Sequence, residues 1–196
     1  MTTTALAPEE VARSNIYGLL AQLFYAPPDQ ALLLGLAQVK PGDGDSAPTA
    51  MGDAWRELAR GAASADAEAV REEYESLFFG TGRAEISLYA GAYRRAHAGD
   101  NPLVQLRDFM AQHGFVRRNG VVEPEDHVAA LCEVMRHLIM QDDVAAQRTL
   151  FAAHLWPGLL PLCDAVSSHG RASFYAPVAR LAKTFFELEH SAFDMD

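Results

Sequence analysis

Three observations predict an all-α protein. Apolar residues recur at spacings of three and four through almost the whole chain, as they do on one face of a 3.6-residue turn. Runs of strict alternation, the mark of a half-buried strand, are missing. Start and stop signals bracket the apolar stripes, among them Pro8, the Pro27-Pro28 pair, Pro102 and Gly114. About nine or ten helices are expected in one bundle-like domain over 1–196. Its N-terminal half covers about 8–114, a hinge loop about 115–123 and the C-terminal half about 124–190.

Pro8 with Glu9 and Glu10 opens the first helix, since proline suits the first helical position and acids suit the positive end of the dipole. Its expected inner face is Ala12, Ile16, Leu19, Leu20, Leu23 and Phe24. Asp29 caps a short second helix through Leu36. The stretch "VKPGDGDSAP" at 39–48 is a loop. Met51, Trp55, Leu58 and Ala62 form the next stripe. Ser64 and Asp66 open a helix carrying Val70, Tyr74, Leu77 and Phe78, which Gly80 ends. "FGTGRAEIS" is irregular and "LYAGAYRRAH" a short helix. Pro102 starts a helix with Leu103, Leu106, Phe109 and Met110 inward, closed by Gly114. Asp143 starts one running to about His154, Pro157 another running to Gly170, and Ser173 the last, with Val178, Leu181, Phe185 and Leu188 inward.

The 196 residues carry a formal charge of −10. A nucleic-acid binder needs a cationic surface to displace counterions from phosphates, so that class is excluded. Cys132 and Cys163 are too few and too far apart for a disulfide framework or a redox pair, and both read as inert core thiols. Trp55 and Trp156 also read as core, and Arg94-Arg95 and Arg117-Arg118 as solvated loop ends. The first residues lack a cationic segment followed by an apolar one, and no stretch approaches the ~18 consecutive apolar residues of a membrane span. A cytoplasmic location without membrane insertion is expected.

The segment "VVEPEDHVAALCEVM" concentrates the polar chemistry. Pro124 at the first helical position makes Glu123 the expected cap, with Glu125 and Asp126 in the first turn. Capping explains the acids but not His127, whose cationic form the helix N-terminus disfavours. A metal site needs converging ligands, and His137 lies ten positions on, pointing away. Acid–base or nucleophilic catalysis lacks a serine or cysteine motif. "GTG" at 80–82 lacks the Lys-Ser/Thr of a phosphate loop. A docking point remains, in which a carboxylate holds a guanidinium or amide of an incoming peptide and nearby aromatics take its apolar side chains.

The stretch "EYESLFFGTGRAEISLYAGAY", followed some thirty residues later by "EPEDHVAALCEVM", resembles the TorD/DmsD/NarJ family of cytoplasmic chaperones for molybdenum-containing redox enzymes. Its pattern falls on Tyr74, Leu77, Phe78 and Gly80, then Ser87 and Tyr89, then Glu123, Pro124, Asp126 and His127. "HLWPGLLPLCD" and "FYAPVARLAKTF" look like the family's last helices, and the likeness covers roughly 10–190. The resemblance implies a client-specific chaperone, not an enzyme, that needs no cofactor or metal of its own. Its partners would be a precursor or apo molybdoenzyme catalytic subunit and that subunit's twin-arginine signal peptide. The peptide site carried over is Tyr74, Leu77, Phe78, Ser87, Tyr89, Glu123, Pro124, Asp126 and His127. Relatives have tryptophans near the first loop where this chain has Tyr74, Ser87 and Tyr89. The run "EPEDHVAALCEVM" looks most like chaperones that accompany formate dehydrogenases. The hinge at 115–123 allows a monomer or a domain-swapped homodimer. Two other classes stay open: a nucleotide-dependent switch that binds or hydrolyses guanine nucleotide weakly, and a small-molecule-sensing helical domain.

Overall fold

The computed structural model describes residues 6–40, 49–79, 84–94, 101–115 and 124–195. Among them there are nine α-helical segments and no strand, with a single isolated bridge between Tyr89 and His127. The all-α expectation holds, and the helix number is close to the one expected. Gly80, the "GTG" stretch, Glu123 and most of the expected hinge (116–123) lie outside the described residues.

Two compact units divide the chain, each drawing on segments from both sides of that hinge: Met1–Phe24 with Tyr89–Gly158, and Tyr25–Leu88 with Leu159–Asp196. In the first unit, α1 (Pro8–Tyr25) buries Tyr17, Leu20, Ala21, Leu23 and Phe24. Ala12 is exposed and Ile16 and Leu19 are half-buried, so the inner face is rotated from the expected one towards Tyr17 and Ala21. Arg13 uses the polar side, pairing with Glu10 at 2.6 Å and reaching the Gln147 amide.

The second unit holds α2 (Gln30–Ala37), α3 (Ala50–Ser64) and α4 (Ala67–Tyr74). Each starts on a side-chain cap that satisfies free N–H groups: Asp29 accepts from Leu32 N at 2.8 Å, Thr49 from Gly52 N at 3.0 Å, and Asp66 from Glu68 N and Ala69 N. Helix α3 packs against α2 and α9. After α4 the backbone widens into a π turn, Glu75–Phe79.

Returning to the first unit, a 3₁₀ turn (Ala90–Tyr93) precedes α5 (Pro102–Gln112), which has proline at its start and Asn101 as cap. Gly114 follows at φ 77, the left-handed geometry that glycine adopts without a steric cost. Helix α6 (Val128–Met140) buries Val128, Leu131, Cys132, Met135, Leu138 and Ile139. It begins four residues later than a Glu123 cap requires. Pro124–Asp126 form a turn, and His127 is the cap.

Asp143 caps α7 (Val144–Leu150) through Ala146 N. A π turn, Phe151–Leu155, joins α7 to α8 (Trp156–Ser167) with no break, so Pro157 does not open a separate helix. It lies just after the π turn, inside that continuous run. This 24-residue run, Val144–Ser167, is long and apolar enough to cross a membrane by length and composition alone. Half of its apolar window is buried among the protein's own side chains, as in a core helix.

Helix α9 (Tyr175–Met195) starts two residues later than expected and buries Val178, Leu181 and Phe185, while Leu188 faces solvent. Its N-terminus is held by the Glu73 carboxylate, which accepts from Phe174 N at 3.0 Å and Tyr175 N at 2.8 Å. The acid opposes the helix dipole from another element. Both cysteines are buried, and burial pushes the Cys163 thiol up to about 12, which leaves it unreactive.

Candidate functional site

The nine residues of the expected peptide site distribute over the two units. Tyr89, Pro124, Asp126 and His127 belong to the first, and Tyr74, Leu77, Phe78 and Ser87 to the second. Glu123 lies outside the described residues.

In the first unit the Asp126-His127 corner is a structural clamp. The Asp126 carbonyl accepts from Ala90 N at 2.9 Å, and its carboxylate accepts from Gly91 N at 3.1 Å. One residue thereby caps the 3₁₀ turn with main chain and side chain together. A Cβ at Gly91 would stand 2.7 Å from that carboxylate, so a larger residue there would make the Asp126 side chain shift. His127 is 7% exposed, and its Nδ1 accepts from Ala129 N at 3.2 Å. A ring nitrogen that accepts carries no proton, so the histidine sits at this helix start in a form the dipole does not oppose. That resolves the residue which capping by acids left unexplained. The Tyr89 ring stands edge-on to the imidazole at 5.3 Å. From the other side, Gly158 of α8 lies so close to Ala90 that an added Cβ would meet its carbonyl oxygen at 2.6 Å. Glu125 pairs with Arg107 at 3.1 Å, and Pro124 is exposed.

Also in the first unit, His154 is buried beside Phe109, with ring centroids 5.7 Å apart. Burial, helped by the Arg94 charge, lowers its pKa to about 4, so it is neutral throughout the physiological range.

The second unit contains an open groove of about 870 Å³, lined by Tyr25, Ala26, Pro27, Arg71, Glu72, Tyr74, Glu75, Ser76, Phe79, Glu85 and Arg171. Tyr74 is only 3% exposed, and its hydroxyl donates to the Tyr25 carbonyl at 2.8 Å, which fixes one wall. Leu77 and Phe78 are core residues beneath it, and the Tyr74, Phe78 and Tyr175 rings meet at 5.1–5.5 Å. Tyr25 and Phe79 are 66% and 61% exposed, unusual for side chains of that size. The π turn turns Phe79 outward while Phe78 stays inside; such turns are frequent at functional sites. Ile86 N donates to the Leu77 carbonyl at 3.0 Å, tying the following loop to the turn. Glu85 holds Arg171 and accepts from His169 at 2.8 Å.

The groove therefore offers exposed aromatic rings under a charged rim. Of the eight expected residues that are described, Tyr74 alone is among the lining residues. Tyr25 and Phe79 were missed because periodicity assigns aromatic residues in a stripe to the core, and a π turn leaves no periodic signal of its own. The "LFF" doublet just before Gly80 was the available hint, since one regular helix face does not bury Leu77, Phe78 and Phe79 together.

The described residues, helices joined by turns, define an all-α protein with a capped aspartate–histidine corner and an aromatic groove. Within it, residues 45–163 match the model of the nitrate reductase delta subunit family, and the chain belongs to that family, which is the TorD/NarJ family of the sequence resemblance. Chaperone protein TorD from Shewanella pealeana is 26% identical over 195 residues, covering 91% of this chain and 88% of that protein. Chaperone protein TorD from Vibrio cholerae is 23% identical over 134 residues, covering 62% of this chain and 61% of that protein. A crystal structure from Archaeoglobus fulgidus, described as a redox enzyme maturation protein, shares the fold with a TM-score of 0.58 at 18% identity. It is covered over 93% of its length by 89% of this chain. These likenesses support a maturation chaperone role.

Proposed function

We propose that this protein is a cytoplasmic chaperone that binds the twin-arginine signal peptide or the apo form of a molybdenum-cofactor redox enzyme. It holds that client until the cofactor is inserted, and delays export where the client is exported. The protein does no chemistry of its own. The observation that carries the reading is the groove of the second unit, where exposed Tyr25 and Phe79 stand beside carboxylates on a chain of net charge −10. A signal peptide joins a cationic head to an apolar body. The acidic protein attracts the head through its field, and burial of apolar side chains against the rings gains ~25 cal/mol per Å² removed from water.

In this reading Tyr74 forms the wall of the peptide site and Leu77 and Phe78 support it from the core. Asp126 and His127 act on the site's other expected residues, fixing the main chain at Tyr89 and the turn after it. A formate dehydrogenase is the client type suggested by the run from Glu123 to Met135.

Calorimetry of the full chain with synthetic twin-arginine signal peptides, and with apo catalytic subunits, tests the reading. Binding by wild type that Phe79→Ser weakens at least several-fold supports it. Failure of wild type to bind any signal peptide or apo subunit ends it.

A further inference from the structure

The charged side chains of the groove are not equivalent. Three carboxylates, Glu72, Glu75 and Glu85, and two guanidinium groups, Arg71 and Arg171, line it. Arg71 holds Glu75 at 2.6 Å and also pairs with Glu68. Arg171 holds Glu85, which takes a further hydrogen bond from His169. Glu72 has no ion pair or hydrogen bond among the described residues. Among the described residues of the lining, Glu72 is the carboxylate that no arginine holds.

Glu72 and Phe79 share a stripe. Residues 72, 75, 76 and 79 are spaced i, i+3, i+4 and i+7, so they lie on one side of α4 and its π turn, and all four line the groove. At the ~1.5 Å α-helical rise seven residues span about 10 Å. That is an upper bound for the Glu72–Phe79 backbone separation, because the last five form the wider π turn. An extended peptide covers that distance in about three residues at ~3.3 Å each. An unpaired carboxylate and an exposed ring, set three extended residues apart, make a two-point gauge.

Building on the proposed peptide-binding role, we infer that Glu72 is the specificity-determining residue of the groove. It reads one basic side chain of a client peptide whose bulky apolar side chain, two or three positions away, stacks on Phe79. Glu75 and Glu85 are already held by arginine side chains and shape the rim without selecting the ligand. The occupant is an extended segment of a protein partner, chosen by charge complementarity at one point and ring contact at the other.

The test titrates the full chain with a synthetic signal peptide in which Arg-Arg is followed two residues later by Phe, and with its Arg→Gln analogue. Glu72→Gln is expected to weaken the arginine peptide about three- to tenfold, to flatten its salt dependence, and to leave the analogue's affinity unchanged. Glu9→Gln, an equal change of net charge on α1, is expected to leave both unchanged. Moving the phenylalanine six residues from the arginines should abolish the effect of Glu72→Gln. Equal loss for both peptides, or no loss for either, overturns the inference while the binding role stands. Wild type that binds neither peptide overturns the role and the inference together.

Discussion

Exchanging Gly158 for alanine tests how the turn after Tyr89 is held. In a helix interior, glycine to alanine ordinarily gains about 0.5–1 kcal/mol, because glycine loses more backbone freedom on folding. At Gly158 the added Cβ would stand 2.6 Å from the Ala90 carbonyl oxygen and 2.7 Å from its Cα and Cβ. These are mostly backbone atoms that cannot rotate away, and that turn is already fixed to Asp126 through Ala90 N and Gly91 N. Forcing atoms into such a contact costs about 1–3 kcal/mol. The steric term wins, and Gly158→Ala is expected to lose about 1–2 kcal/mol net, lowering Tm by about 2–8 °C for a chain of this size. Gly35 in α2 is the control, since nothing lies within 4 Å of its added Cβ. Gly35→Ala should gain about 0.5–1 kcal/mol and raise Tm by about 1–4 °C. Thermal melts of both variants, followed by circular dichroism, decide the matter. If Gly158→Ala stabilises as Gly35→Ala does, the close packing of α8 on the turn is refuted.

Glu73→Ala removes both acceptors at the start of α9 and should cost about 1–3 kcal/mol in urea denaturation, while Glu73→Gln keeps one acceptor and should cost less. An Ala variant as stable as wild type would contradict the cap. His154 has a folded pKa of about 4, below its unfolded value of ~6.5, so the unfolded chain binds the extra proton first. Stability is then unaffected above about pH 6.5 and falls as pH drops from 6.5 towards 4, by about 2–3 kcal/mol. His154→Gln should flatten that part of the profile, and an unchanged slope would assign the loss elsewhere. Phe79→Ser should leave Tm within about 2 °C of wild type, because the ring is already exposed, yet weaken signal-peptide binding by about 1–2 kcal/mol. A stability loss without a binding loss would make Phe79 a structural residue.

Helices announced by caps and breakers were legible in the sequence. Asp29, Asp66 and Asp143 stand at starts where their carboxylates accept from free N–H groups, Pro102 at one where it lacks an N–H that would need a partner, and Val70, Tyr74, Leu77 and Phe78 are buried as their spacing predicts. Three features were illegible for physical reasons. A proline followed by two acids suits a tight turn as well as a first helical turn, so the start of α6 was placed at Pro124 when the cap is His127. A π turn passes a helix through Pro157 where a break is the local expectation. In α1, Tyr17 and Ala21 pack more fully than Ile16 and Leu19, although hydrophobicity alone ranks the latter pair higher. For the site, Asp126 and His127 stood out as polar residues beside an apolar helix, but their hydrogen bonds run to Gly91 and Ala129, and spacing in a sequence cannot reveal a partner 35 positions away. The groove was hidden because Tyr25, Phe79 and Arg171 come from three separate stretches of the chain.

Photo-crosslinking tests the binding role most directly. A synthetic twin-arginine signal peptide carrying benzoylphenylalanine in place of its phenylalanine is irradiated with the full chain, and the labelled residues are mapped by mass spectrometry. Label at Phe79 and Tyr25, competed away by unmodified peptide, is the predicted result. Label confined to other exposed apolar side chains, such as Met140 and Val144, or no competable label at all, would contradict a peptide-gripping groove.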